Sequence, residues 1–260
     1  MKPHKLIVFG GTSSISKLVV SELGFTNSEI YYINRIRKRY KYFIGSKNNN
    51  ETLVDFNNVA LFEKKIDKLF QSFGSSPVAV INFLGTFGSI EGLSDLNLIS
   101  ALDTIKQNLL PFCLIAKAAA NLPSGSIIIS FAGAGVGGSN LDDSSLGYLA
   151  AKASMSLLVE SIDNQLMENG VRIGLVSPGP FISPMQIAVA STKSSNVPLD
   201  RVNRAKALLD TPSSPVKLIA LLKFLLLHPE VLGGRTWSAN FDNLQLDNLV
   251  TDFGRMRRIH

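Results

Sequence analysis

Tyr148 and Lys152 stand four residues apart in Tyr148-Leu149-Ala150-Ala151-Lys152. On a helix that spacing puts both side chains on one face. An ammonium beside a phenol favours the phenolate and draws a tyrosine pKa of about 10 toward working pH. A tyrosine so tuned gives a proton to a ketone oxygen, or takes one from an alcohol. The same spacing also arises in surface pairs, so the chemistry depends on what the rest of the chain supplies.

A second group sits near the start. Gly10-Gly11-Thr12-Ser13-Ser14-Ile15-Ser16 follows the apolar run Lys5 to Phe9 and precedes a helical pattern. Backbone N–H groups and the dipole at a helix N-terminus hold a pyrophosphate, and small residues let it approach. A tight strand–helix connection is the alternative reading. The next strand ends in Asn34-Arg35, with no carboxylate to meet an adenosine ribose. An arginine there meets a 2′-phosphate instead, through charge-assisted bonds. Arg37, Lys38 and Arg39 add positive potential, and Asn34 is placed to contact the ribose. This pattern predicts NADP(H) in preference to NAD(H). A solvated loop and a nucleic-acid patch are the other readings of the basic run, the latter the weaker.

These groups need a scaffold, and the apolar pattern predicts one. Strands are expected at Lys5–Phe9, Ile30–Ile33, Thr52–Val54, Val78–Leu84, Ser126–Phe131 and Val171–Val176, with a final strand around Trp237. Between them Ile15, Leu18, Val19 and Leu23 recur at helical spacing, as do Val59, Phe62, Ile66, Leu69 and Phe70. Long helices are expected over Leu98–Leu122, despite Pro111, and over Leu146–Glu168. The strands are continuous apolar runs, which predicts a parallel sheet covered on both faces. The expected fold is therefore a doubly wound α/β domain of the Rossmann type, single over residues 1–260. The Ser/Asn/Pro-rich stretch 191–198 breaks the rhythm, and residues 182–210 are expected to form a lid over the strand ends.

Taken in order, the motifs resemble those of the short-chain dehydrogenase/reductase family over nearly the whole chain. The family's Thr-Gly-x-x-x-Gly-x-Gly turn aligns on Phe9 to Ser16, keeping only Gly10; Ser14 and Ser16 replace the other glycines. Its adenine-binding aspartate resembles Asp55, and its Asn-Asn-Ala-Gly resembles Asn82-Phe83-Leu84-Gly85. Its helix asparagine resembles Asn108. Its Pro-Gly-x-x-x-Thr segment resembles Pro178-Gly179-Pro180-Phe181-Ile182-Ser183, which implies nicotinamide contacts from Pro178, Gly179, Ile182 and Ser183. The resemblance implies phosphate contacts from Thr12, Ser13, Ser14 and Ile15. It implies that Tyr148 is the general acid/base, that Lys152 lowers its pKa and holds the nicotinamide ribose, and that Asn108 holds a relay water. It also implies a homodimer or homotetramer.

The family's substrate-orienting serine is about 13 residues before the tyrosine, which here is Gly135. Matching the strand end selects Ser130; matching the glycine pattern puts Ala132 in that place. Both face one side of the strand. Loss of the hydroxyl would cost about 10²-fold by analogy with a lost oxyanion donor. Ser139 could substitute from the loop. Ser16 is expected to add bulk where the helix packs on the strand. Asp142 and Asp143 read as loop caps.

Composition bounds the alternatives. Of 260 residues, 45% are hydrophobic and 18% charged, which excludes wholesale disorder. Net charge is +6 and pI about 9.4. The single cysteine, Cys113, makes no internal disulfide and reads as a buried thiol. His4, His228 and His260 are scattered, so no metal site is expected. The apolar stretch Val216–Leu227 has the length of a core helix, and Lys2 and Lys5 precede too short a run for a signal peptide. A cytoplasmic protein without a membrane partner is expected. The reading is an NADP(H)-dependent oxidoreductase acting on a small-molecule ketone or secondary alcohol; residues 232–242 resemble the tail of reductases associated with surface-polysaccharide synthesis, and that resemblance implies a carbohydrate-linked substrate. A catalytically weak NADP-binding scaffold is the alternative.

Overall fold

In the computed structural model of the chain, the described residues are 3–35, 51–55, 58–91, 93–133, 145–179, 181–192, 197–211, 214–240 and 242, without the side chains of Ser14, Arg35 and Met185. Seven strands make one parallel sheet: β1 Lys5–Phe9, β2 Ile30–Arg35, β3 Glu51–Val54, β4 Val78–Asn82, β5 Ile127–Phe131, β6 Arg172–Ser177 and β7 Thr236–Ser238. Their order is β3-β2-β1-β4-β5-β6-β7. The crossing-over from β3 to β4 puts β1 beside both β2 and β4, so Phe9 pairs with Ile33 on one side and Asn82 on the other. This is the doubly wound arrangement expected, and its C-terminal edge is where such sheets bind ligands.

Strand alternation divides the core. On one face Ile7, Phe9, Ile128 and Leu175 pack under α2 (Val59–Gln71), α3 (Leu98–Ala118) and α4 (Leu146–Met167). On the other, Leu6, Val8, Ile129 and Trp237 pack under α1 (Ser14–Val20) and α7 (Val216–Leu227). Each interior strand is apolar on both sides because both faces are covered. Helices α1, α2 and α3 start where polar side chains replace missing backbone partners. Ser13 accepts from Ser16 N, Asn58 from Leu61 N and Asn97 from Ser100 N.

Two expectations shift. The long helix over 98–122 ends as a 3₁₀ turn at Ala119–Asn121. The 182–210 segment holds two helices, α5 (Pro184–Ala190) and α6 (Leu199–Asp210), which pack against each other. By length and composition α3 could cross a bilayer, yet its stripe of Thr104, Asn108, Phe112 and Ile115 is buried.

Candidate active site

Tyr148 and Lys152 lie in the first turns of α4, at the C-terminal edge of the sheet. The Lys152 Nζ stands 5.6 Å from the centre of the Tyr148 ring and donates to Phe131 O at 2.8 Å. Gly133 makes room for both: a Cβ there would come within 2.7 Å of Lys152 Cγ and 3.1 Å of Tyr148 Cε1. Gly147 does the same for the helix start, where a Cβ would meet Ala101 O at 2.7 Å. The tight α3–α4 contact at that glycine carries Tyr148 toward the strand ends.

Burial governs the electrostatics. It pushes the Tyr148 phenol up to about 12 and pulls the Lys152 ammonium down to about 8. Both shifts favour the neutral form, as desolvation requires. Near neutral pH the phenol is therefore protonated, its pKa raised by burial and not drawn down toward neutrality as the lysine pairing predicted, and the ammonium is charged but readily lost above pH 8.

Asn108, from the middle of α3, is tied into the next loop. Its Nδ2 donates to Thr86 O and Thr104 O, both at 2.8 Å, while Thr86 N donates to its Oδ1 at 3.2 Å. The clamp fixes Gly85, where a Cβ would fall 3.0 Å from Asn108 Oδ1 and 3.9 Å from Lys152 Nζ. Asn82, at the end of β4, accepts from Leu84 N at 3.0 Å and donates to Ser130 Oγ at 3.3 Å.

That last bond bears on the serine. Ser130 is 0% exposed, and its hydroxyl faces Asn82 and the sheet. Phe131 O and Gly133, from the residues that follow, touch Lys152 and Tyr148. The Ser130 hydroxyl thus accepts from Asn82, and Ala132, two residues on, is buried in the core on the same side of the strand. Ser139, Asp142 and Asp143 lie outside the described residues.

The turn after β1 is closed by its own side chains. Gly10 has φ +77°, a left-handed conformation that suits glycine, and a Cβ there would meet the Phe83–Leu84 backbone at 3.2 Å. Ser16 is wholly buried but not simply bulky. Its Oγ donates to Ser13 O at 2.9 Å and Gly10 O at 3.1 Å. A hydroxyl bridge stands where the resemblance places a glycine. Thr12 is exposed at the turn, and Ser13 and Ile15 are half-buried.

Asn34 lies one residue before the end of β2, 4% exposed, but its surroundings differ from the sequence reading. Its Nδ2 donates to Glu51 Oε1 at 2.8 Å, so a carboxylate does reach this strand end, from β3. Strand pairing, not sequence proximity, brings it there: Glu51 pairs with Tyr32 in the parallel register. Asn34 Oδ1 is buried without a hydrogen-bond partner among the described residues. The Arg35 side chain and Arg37 to Arg39 lie outside the described residues. Asp55 follows β3 and is exposed.

Across the site, Pro178 and Gly179 end the β6 segment. Gly179 has φ +83°, and a Cβ there would strike Asn240 Nδ2 at 2.8 Å. Ile182 is exposed, and Ser183 Oγ caps α5 by accepting from Gln186 N at 3.3 Å. Phe87 covers Tyr148, ring centres 5.4 Å apart, in a small cluster with Val189 of α5 and Ala205 of α6. Phe87, Gly133 and Asn240 were not singled out from sequence. Only Gly133 had a signal, in the glycine-rich run after the fifth strand. Cys113 is half-buried and burial pushes its thiol up, which suits a packing role.

The comparisons agree with this architecture. A short-chain dehydrogenase/reductase of Saccharomyces cerevisiae superposes with TM-score 0.74 at 14% identity, over 92% of this chain and 98% of that one. Thermoplasma acidophilum aldohexose dehydrogenase gives 0.69 at 16%, over 91% and 92%. Bacillus cereus enoyl-acyl carrier protein reductase, solved with NADP+ and indole naphthyridinone, gives 0.68 at 16%, over 92% and 96%. The fold is that of the short-chain dehydrogenases/reductases. Two curated relatives are named as uncharacterized oxidoreductases. YhxD of Bacillus subtilis is 29% identical over 138 residues, 53% of this chain and 45% of its own length. C4H3.08 of Schizosaccharomyces pombe is 32% identical over 111 residues, 39% and 36%. The matched segments thus span less than half of either relative. No family model matches the chain.

Proposed function

We propose that this chain is a nicotinamide-dependent oxidoreductase that interconverts a ketone and a secondary alcohol, using NADP(H) in preference to NAD(H). The observation that carries the proposal is the Tyr148–Lys152 pair, set at the C-terminal edge of a parallel sheet and walled by Gly85 and Gly133. The oxidoreductase names of the relatives support it.

The residues present fit a dinucleotide. Gly10 and Gly85 leave side-chain-free surface beside the strand ends, and the orphaned Asn34 Oδ1 is an acceptor suited to a ribose hydroxyl. Gly10 and the backbone of residues 12–15 would hold the phosphates, Asn34 and Asp55 the adenosine end, and Pro178, Gly179, Ile182 and Ser183 the nicotinamide end. Arg35 would take the 2′-phosphate. Bound there, the nicotinamide supplies or accepts hydride.

The chain's own residues manage the proton. Tyr148 Oη donates to the carbonyl oxygen as the carbon–hydrogen bond forms; in the reverse direction its phenolate accepts the hydroxyl proton. Lys152, held by Phe131 O, places positive charge beside the developing phenolate. Asn108 holds the Gly85–Thr86 loop against both. Ser130 is a positioning residue in this reading, through Asn82. Phe87 and the α5–α6 lid keep water from Tyr148, which maintains its high pKa as a donor. A carbohydrate-linked carbonyl and a homo-oligomeric assembly remain part of the proposal on the resemblance alone.

The test is a fluorescence titration with NADPH and NADH in parallel, on wild type and Arg35→Ser, followed by turnover on a ketone and alcohol panel. Tight NADPH binding that Arg35→Ser weakens about 10-fold or more, with NADH unaffected, supports the cofactor assignment. Binding of neither nucleotide overturns it. The engagement of the Ser130 hydroxyl by Asn82 favours a second reading, a nucleotide-binding subunit with weak catalysis. That reading expects binding without turnover.

A further inference from the structure

The side-chain amide of Asn34 is held at one end and open at the other. Its Nδ2 donates to Glu51 Oε1 at 2.8 Å. A carboxylate accepts and does not donate, so this bond settles which way round the amide stands. The amide oxygen is thereby turned away from Glu51. Oδ1 is buried without a hydrogen-bond partner among the described residues, in a side chain sealed from bulk water. Folded proteins leave few such atoms, and a donor brought by a ligand is one way to complete them.

The register ties this atom to the turn after β1. Tyr32 pairs with Glu51 and Asn34 with Leu53, so the Glu51 side chain reaches two residues along the sheet to meet Nδ2. Tyr32 and Asn34 are two apart and share a face of β2. On that face the Tyr32 ring lies across Gly11, where any Cβ would strike it. Asn34 comes next on the same face, toward the C-terminal edge. Gly10 N donates to Ile33 O, the carbonyl just before it, at 2.9 Å. The unfilled acceptor therefore adjoins the turn that the proposed function gives to the phosphates.

From this arrangement we infer that Glu51 is a positioning residue for the cofactor. By holding Nδ2 it makes Asn34 present an acceptor, and that acceptor takes the adenosine 3′-hydroxyl as its donor. The inference rests on the oxidoreductase reading and adds a residue to its cofactor site. The 3′ position follows from the chemistry of NADP(H): its 2′ oxygen carries the phosphate, so the 3′-hydroxyl is the donor left on that ribose. The Asn34 contact is common to NADPH and NADH, and Arg35 supplies the preference between them.

The experiment measures dissociation constants by fluorescence for NADPH and for an analogue with fluorine in place of the adenosine 3′-hydroxyl. Fluorine is close to the hydroxyl in size and cannot donate. Wild type, Glu51→Gln and Glu51→Leu are compared. Wild type should bind NADPH about 5- to 20-fold more tightly than the analogue. Glu51→Gln should keep that preference, since its Oε1 still accepts from Nδ2. Glu51→Leu should reduce it to about threefold or less, because the amide is then free to turn and offer N–H to the fluorine. A wild type that binds both ligands equally overturns the inference and leaves the oxidoreductase reading standing. So does a Glu51→Leu variant that keeps the full preference while binding both ligands more weakly or unchanged, as the loss of a mere tie between β2 and β3 would give. Failure of the wild type to bind NADPH removes both readings.

Discussion

The turn after β1 and the corner around Tyr148 solve different problems. The turn needs a backbone shape. It gets that shape from Gly10 in a left-handed conformation and from a hydroxyl of Ser16 that ties Ser13 O to Gly10 O. Another residue can supply the same closure, so a serine stands where the family resemblance expects glycine. On the proposed function, the corner needs a proton donor and a charge at fixed points in a desolvated place. Tyr148 and Lys152 sit there at an energetic disadvantage, and Phe131 O and the Asn108–Thr86 clamp support them. A shape tolerates substitution; a charge at a point does not.

The comparison breaks most severely at Tyr148. Tyr148→Phe removes the proton donor and keeps the ring against Phe87. Turnover should fall about 10³-fold or more, while the dissociation constant for NADPH, followed by fluorescence, stays within a factor of three. Comparable losses in both quantities would mean that the ring acts through packing.

Lys152 should show opposite effects on activity and stability. Lys152→Met should lower turnover about 10²-fold and raise the thermal midpoint at pH 7, because it removes an ammonium that burial penalises. The sign follows from linkage. The unfolded lysine keeps its proton to about pH 10.5 and the folded one releases it near 8. Between those values the unfolded state binds more protons, so wild-type stability rises with pH, by about 2–3 kcal/mol from pH 8 to 10. Above pH 10 Tyr148 reverses the trend, since the folded state holds that proton longer, to about 12. Urea titrations across pH should show the rise in wild type and none in Lys152→Met. The reduction rate should decline above pH 8 for the same reason.

Gly85→Ala tests the wall between clamp and lysine. Its Cβ would press on Asn108 Oδ1 at 3.0 Å, closer than most real Cβ contacts. A fall in turnover of about 10-fold is expected, with about 1–2 kcal/mol of lost stability by chemical denaturation. The smallest effect belongs to the turn. Ser16→Gly puts in the residue that the resemblance expects and deletes both hydroxyl bonds. Stability should drop by about 1 kcal/mol with NADPH affinity changed less than threefold. A large loss of affinity would show that the hydroxyl bridge shapes the phosphate site itself.

The sheet was legible because interior strands of a doubly wound fold are apolar on both faces. Val78-Ala79-Val80-Ile81 and Ile127-Ile128-Ile129 show no alternation to confuse them with surface strands. Tyr148 and Lys152 were legible because helical spacing is local. Features that depend on pairing between distant segments were not. Glu51 meets Asn34 only through the β2–β3 register, so the strand end looked free of carboxylates. Ser130 and Ala132 share a face, and only the depth of the Tyr148 helix separates them. Helix α6 buries just Val202 and Ala205, too thin a stripe to show as periodicity in a polar segment. The contact between Arg201 and Phe87 has no local signature at all.

The bond between Asn82 and Ser130 has a consequence for how the sheet is assembled. Apart from that pair, β4 and β5 present aliphatic side chains and the edge residue Phe131. A two-residue slip between them would leave every side chain on its own face and exchange one aliphatic contact for another. The polar rung makes the slipped states unequal: each parts two buried polar groups, at about 1–3 kcal/mol for each group left unsatisfied. Parallel strands meet only after long stretches of chain have been brought together, so errors of alignment are slow to undo. Asn82 and Ser130 therefore act as a registration mark at the centre of the sheet, favouring the one alignment in which Gly85 and Gly133 reach the same height.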